Sequence, residues 1–132
     1  MKISVIAEQL GLEILSMPDP NRDVKGGYVG DLLSWVMGRA EENQAWITIM
    51  TNINILAVAS LSGVSAVIVA EGAEISAEIV AKATEQGINV LRSSRSSFEV
   101  AVALGRTLEQ YWQELHTNCT CTHVCRLAEM RK

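Results

Sequence analysis

The spacing of apolar positions changes character along the chain. Ala45-Trp46-Ile47-Thr48-Ile49-Met50 is apolar on both faces, as a central strand covered by helices on each side requires. A polar corner follows, Thr51-Asn52-Ile53-Asn54, and then a run from Ile55 to Leu61 that is apolar nearly all round. The spacing predicts a helix over 52–61 that is buried on more than one side. A small domain can hardly surround a helix completely, so its remaining face is expected to meet another copy of the chain.

The same alternation continues. Ser65 to Ala70 reads as the next interior strand, ending at Glu71-Gly72. Ser76 is placed to cap an amphipathic helix with Ile79, Val80 and Ala83 inward, closed by Gly87. Ile88 to Leu91 is a further strand. Ser96 with Glu99 fits a capping box, opening a last helix with Phe98, Ala101, Val102, Gly105, Leu108, Trp112 and Leu115 at helical spacing, to about His116.

The first 44 residues are less regular. Ser4 is placed to cap a short helix carrying Ile3, Ile6, Ala7 and Leu10, with Gly11 as its stop. Leu12 to Met17 reads as a strand and Pro18 to Asn21 as a turn. Arg22 to Val29 is extended, and Gly26-Gly27 allows a bulge or a close backbone approach. Asp31 is a candidate cap for a helix with Leu32, Leu33, Val36, Met37 and Ala40 inward. Trp35 lies off that stripe, as a flank residue or half of a subunit contact. Strand and helix alternating from Ala45 onward predict right-handed crossovers. The expected fold is a single three-layer α/β domain with a mainly parallel central sheet flanked by helices.

Charge narrows the function classes. A formal net charge of -4 and a pI near 5.1 argue against a nucleic-acid binder, which needs clustered Lys and Arg to neutralise phosphates. The longest apolar run is too short to span a bilayer. Met1-Lys2-Ile3-Ser4 leads into a helical pattern rather than a basic segment and apolar run, so a cytoplasmic location is expected.

The segments Asn21 to Ser34, Ala45 to Thr51, Asn54 to Leu61 and Ser96 to Ala101 together resemble the DRTGG domain family. The likeness covers residues 1–108, and 109–132 forms an extension of the last helix and a Cys/His-containing tail. The resemblance implies a fold like the amino-terminal domain of HPr kinase. It also implies an accessory role, since such regions occur in phosphate acetyltransferases and in pyrophosphatases that carry CBS domains. Short stand-alone members, some associated with redox genes, hint at a partner enzyme. The Asp-Arg-Thr-Gly-Gly stretch that names the family is expected at the central corner. That corner here reads Thr51-Asn52-Ile53-Asn54, so no charge-based role of the Asp and Arg carries over.

Two places are candidates for chemistry. The carboxyl ends of parallel strands share one edge, where open α/β sheets bind ligands. Thr51, Asn52 and Asn54, with Glu71, Gly72 and the loop Ser93-Ser94-Arg95-Ser96, would supply hydroxyls, helix-start N–H groups and one Arg for a small anion or nucleotide phosphate. The alternative is that Asn52 and Ser96 merely cap helices and Arg95 is solvated. The second place is the tail, where His116, Cys119, Cys121, His123 and Cys125 offer thiols and imidazoles for zinc or an iron–sulfur cluster. Their spacing matches no standard set. In an extended chain the alternating ligands stand about 6.6 Å apart, too far to share one ion.

No Cys or His precedes His116, and Asp19, Asp23, Asp31, Glu71 and Glu99 each have a turn or cap reading. The sequence therefore points to a non-catalytic regulatory or oligomerisation module, a homodimer or higher oligomer, with no resident cofactor. The candidate contacts are Trp35, Ile53, Leu56 and Trp112. The alternative is a redox-linked accessory protein whose tail holds a metal.

Overall fold

The computed structural model describes residues 1–117. Its elements run α1 (Ile3–Leu10), β1 (Glu13–Ser16), β2 (Gly26–Val29), α2 (Leu33–Arg39), β3 (Gln44–Thr48), α3 (Asn54–Ser62), β4 (Ala66–Val69), α4 (Ala77–Glu85), β5 (Val90–Arg92) and α5 (Ser97–Thr117). The strands form one sheet in the order β1-β5-β4-β3-β2. β2, β3, β4 and β5 are parallel, and β1 joins the far edge antiparallel to β5.

From β2 to β5 the chain always steps in the same direction across the sheet. Crossovers of one hand then place every connecting helix on the same face. The packing agrees. Trp46, Val67, Val69 and Val90 meet Val36 of α2, Ile55, Leu56, Val58 and Ala59 of α3, and Ala83 of α4. The alternate residues Ala45, Ile47, Ala66, Ile68 and Leu91 face the other way, onto α1 and α5. The result is the expected three-layer α/β domain, α2/α3/α4 over the sheet over α1/α5. β3 is an interior strand, and β4 is buried at every position, as the two-sided apolar pattern requires.

Several local expectations hold. Gly11 and Gly63 close α1 and α3 in the left-handed conformation, with φ of 63° and 73°. Ser76 Oγ accepts from Ile79 N at the start of α4. Ser96 and Glu99 form the capping box, with Glu99 N donating to Ser96 Oγ at 3.1 Å and Ser96 N to Glu99 Oε1 at 3.3 Å.

Others are corrected. Ser4 lies inside α1, whose N-cap is Lys2 with no side-chain cap. Asp31 does not cap α2, because its carboxylate is drawn to the end of β3 instead. Leu32 and Met37 are exposed, since the seven-residue α2 buries a single line through Val36. The line that α5 buries is Val100, Leu104 and Leu108, continued by the half-buried Trp112. Phe98 and Leu115 stand in solvent, and Gly105 is also exposed. A pattern rich in Ala leaves the phase of a helix ambiguous, and the sheet sets it. Leu56, a candidate contact residue, is only 2% exposed and belongs to the chain's own core. On the outer face of α3, Ile53, Ala57 and Leu61 are open to solvent.

Candidate functional site at the carboxyl edge of the sheet

Four connections leave the carboxyl ends of the parallel strands side by side: Gly30–Leu32 after β2, Ile49–Ile53 after β3, Ala70–Ser76 after β4 and Ser93–Ser96 after β5. The sequence alone placed three of them in a single site. The structure divides them into two clusters.

The first cluster joins the β4 and β5 loops. Glu71 and Gly72 both take positive φ, 62° and 65°, which turns the chain sharply away from the sheet. Glu71 N then donates to Arg95 O at 2.7 Å and Gly72 N to Ser93 O at 2.9 Å. The Glu71 carboxylate accepts from Ser97 N at 3.0 Å, so a residue on one loop supplies an acceptor for the first turn of α5. Ser93 Oγ accepts from Arg95 N, and Arg92 donates to Gly72 O. The hydroxyls of Ser93 and Ser96 and the carboxylate of Glu71 are thus engaged in holding backbone. Ser94 and Arg95 remain exposed. Among the described residues no partner takes the Arg95 guanidinium, although its backbone is held at both N and O.

The second cluster joins the β2 and β3 loops. Asn52 Oδ1 accepts from Asn54 N at 2.9 Å and opens α3, while Thr51 is half-buried and Asn54 exposed. Beside them Asp31 Oδ1 accepts from Thr48 Oγ1 and from Ile49 N, both at 2.9 Å. Trp46, fully buried, donates from its indole nitrogen to Gly30 O at 2.8 Å. Among the described residues no hydrogen bond joins this cluster to Glu71 or to the Ser93–Ser96 loop. Sequence reasoning missed Asp31 and Thr48 as a pair. The available signal was the lone hydroxyl inside an otherwise apolar strand, which must find a partner when buried.

The edge carries Glu13, Asp31, Glu71, Glu74 and Glu99 against Arg92 and Arg95. Arg92 already lies 3.8 Å from Glu13. Charge alone does not make the edge attractive to anions. With Asn54 N, Ser97 N and Glu99 N already taken by Asn52, Glu71 and Ser96, the Arg95 guanidinium is the donor this edge offers an anion.

Of the candidate contact residues, Trp35 is 55% exposed, with the Arg39 guanidinium 3.9 Å from its ring centroid. Ile53 is exposed. Trp112 is half-buried against an open apolar cleft of about 250 Å³, which Gly27, Val29, Leu104 and Leu108 also line. A second, more polar cleft of about 180 Å³ lies at the opposite edge of the sheet. There Arg22 donates to Asn43 Oδ1 and to Gly63 O. The candidate metal ligands Cys119, Cys121, His123 and Cys125 lie outside the described residues, as does the side chain of His116. No described helix is long and apolar enough to cross a membrane.

The DRTGG domain model matches residues 5–107. The chain belongs to the DRTGG domain family. This DRTGG domain is similar in structure to one solved as the CBS and DRTGG domains of the regulatory region of Clostridium perfringens pyrophosphatase, complexed with the activator diadenosine tetraphosphate. The TM-score is 0.62 at 22% identity, over 75% of this chain and 44% of that one. The likeness establishes the α/β fold, and this DRTGG domain spans less than half of that chain. No curated protein matches it.

Proposed function

We propose that the chain is a non-catalytic regulatory module that associates with itself and takes a small anionic ligand, of nucleotide type, at the carboxyl edge of its sheet. The observation that carries the ligand reading is the clamp between the β4 and β5 loops. Four hydrogen bonds, Glu71 to Arg95, Gly72 to Ser93, Ser97 to Glu71 and Arg95 to Ser93, fix the loop and leave one guanidinium exposed at its tip. A rigid backbone with an uncommitted cation suits recognition of phosphate more than turnover. Turnover needs a positioned acid, base or nucleophile, whereas Ser93, Ser96, Glu71, Glu99 and Asp31 of this edge are engaged in holding backbone groups.

A related domain architecture was solved with a nucleotide activator, which supports a nucleotide as the first probe. Thr51, Asn52 and Asn54 border the same edge and would contact the remainder of such a ligand. The exposed apolar residues Trp35, Ile53 and Leu61 support association, with a second copy or with a partner enzyme.

Thermal denaturation in the presence of AMP, ATP, diadenosine tetraphosphate and acetyl phosphate tests the ligand reading. One of these is expected to raise the melting temperature in proportion to the logarithm of its concentration, and Arg95→Ala is expected to abolish the rise. A rise unchanged by Arg95→Ala would move the site elsewhere, and no rise with any of them would refute the ligand reading.

A further inference from the structure

The two edges of the sheet are built differently. β1 carries a register irregularity between Ile14 and Ser16 and a charged Glu13, devices that discourage another strand from pairing. β2, at the other edge, reads Gly26-Gly27-Tyr28-Val29. It has no charge and no proline, and it pairs with β3 in unbroken register. Gly27 and Val29 are both exposed. Gly30 N donates to Ile47 O of β3 at 3.2 Å. The two-residue period then turns Tyr28 toward β3 and leaves the N–H and C=O groups of Gly27 and Val29 pointing outward.

The geometry points to β2 as the strand through which two copies of this chain join, antiparallel, into one continuous sheet. This rests on the self-association part of the function proposed above and adds the surface that makes it. Three features select a second copy as the occupant. The first is backbone register. Only residues with outward N–H and C=O can form hydrogen-bonded antiparallel pairs, and a two-fold axis at Tyr28 sets Gly27 of each copy against Val29 of the other.

The second is charge. With the axis at Tyr28, Lys25 of one copy comes beside Asp31 of the other just beyond the ladder, since Lys25 N is turned inward to Asn43 O. In its own chain the Lys25 ammonium has an exposed pair with Glu41 at 3.8 Å, which is weakly held. Moving the axis to Gly27 would lose that contact and set Asp31 against Asp23, whose charge is already matched by the Met1 ammonium at 2.6 Å. Asp31 is exposed and uses only Oδ1 within its own chain, which leaves Oδ2 for the incoming ammonium.

The third is shape. Val29, half exposed, would sit across from a glycine, beside the apolar cleft that Leu104, Leu108 and Trp112 line. Gly27 leaves that face to Leu104, whose Cδ2 would lie 2.9 Å from a Cβ at this position. On the opposite face the two Tyr28 rings become cross-strand neighbours.

The test measures the mass of the full chain by light scattering and sedimentation across a concentration series. Wild type is expected to be dimeric. Val29→Pro removes an outward N–H without removing a bond to β3, and is expected to give a folded monomer. Lys25→Asp places two acids together and is expected to weaken the dimer at least about tenfold.

A third variant guards against misfolding. Tyr28→Cys, in a chain whose Cys119, Cys121 and Cys125 are replaced by Ser, puts two thiols at the axis. Cβ atoms there are about 4.5–5.5 Å apart, close to disulfide range. Mild oxidation is expected to give a covalent dimer in high yield. A dimer that persists in Lys25→Asp and does not cross-link in the Tyr28→Cys variant would overturn the β2 interface while leaving self-association intact. Leu61→Glu then asks whether α3 carries the contact instead. A wild-type monomer at every concentration would remove the self-association reading itself, and this inference with it.

Discussion

Asp31 and Thr48 are joined across the end of the sheet, carboxylate to hydroxyl, at 2.9 Å. Thr48 is wholly buried and its hydroxyl also accepts from Met50 N. The same Asp31 oxygen holds Ile49 N. One carboxylate therefore ties the β2–α2 connection to the point where β3 ends, and the corner at Thr51 begins from that anchor. Asp31→Ala would strand a buried hydroxyl proton and a backbone N–H. The expected loss is about 1–3 kcal/mol, measured by urea unfolding. Asp31→Asn keeps an acceptor oxygen and should lose clearly less.

Asn89 does comparable work at the opposite end of the sheet. It is 2% exposed, accepts from Asp19 N and donates to Asp19 O and Ser65 O. It thereby pins the Pro18–Asn21 turn to the sheet. Asn89→Ala should destabilise by at least about 1–3 kcal/mol, because buried backbone groups lose their partners. It should also speed hydrogen exchange at Asp19 N, which Ala at a merely well-packed site would not do.

Trp46 and Trp35 should behave oppositely. Trp46 is fully buried and donates to Gly30 O. Trp46→Ala should cost about 3–5 kcal/mol. Trp35 lies on the surface under Arg39, so Trp35→Ala should cost no more than about 1 kcal/mol. Denaturant midpoints of the two variants check the contrast, and their fluorescence spectra identify which indole was solvent-exposed.

Glu71 holds the first turn of α5 from a neighbouring loop. Glu71→Ala should destabilise by about 0.5–2 kcal/mol, the usual range for losing a helix cap. Exchange of Ser97 N should rise in Glu71→Ala while Glu99 N, held by Ser96 Oγ, stays protected.

Most of the architecture was legible in the order of residues. Two-sided apolar strands, helices closed by glycine and a Ser-x-x-Glu box are statements about neighbours in the chain. They yielded the three-layer parallel sheet and the start of α5 at Ser96. The candidate edge was legible as an edge, because strands of one direction must end on one side. What the residues there do was not legible. Ser93, Ser96 and Asn52 hold backbone, and only the positions of the flanking loops reveal it. Asp31, next to a helix, reads as its cap. Its true partners are 17 and 18 residues away and become neighbours only when β2 pairs with β3. The burial of Leu56, and the exposure of Phe98 and Leu61, were likewise decided by the sheet. Local pattern fixes which residues lie on one side of a helix. Which side turns inward depends on the surface that meets it, and that surface is assembled from distant parts of the chain.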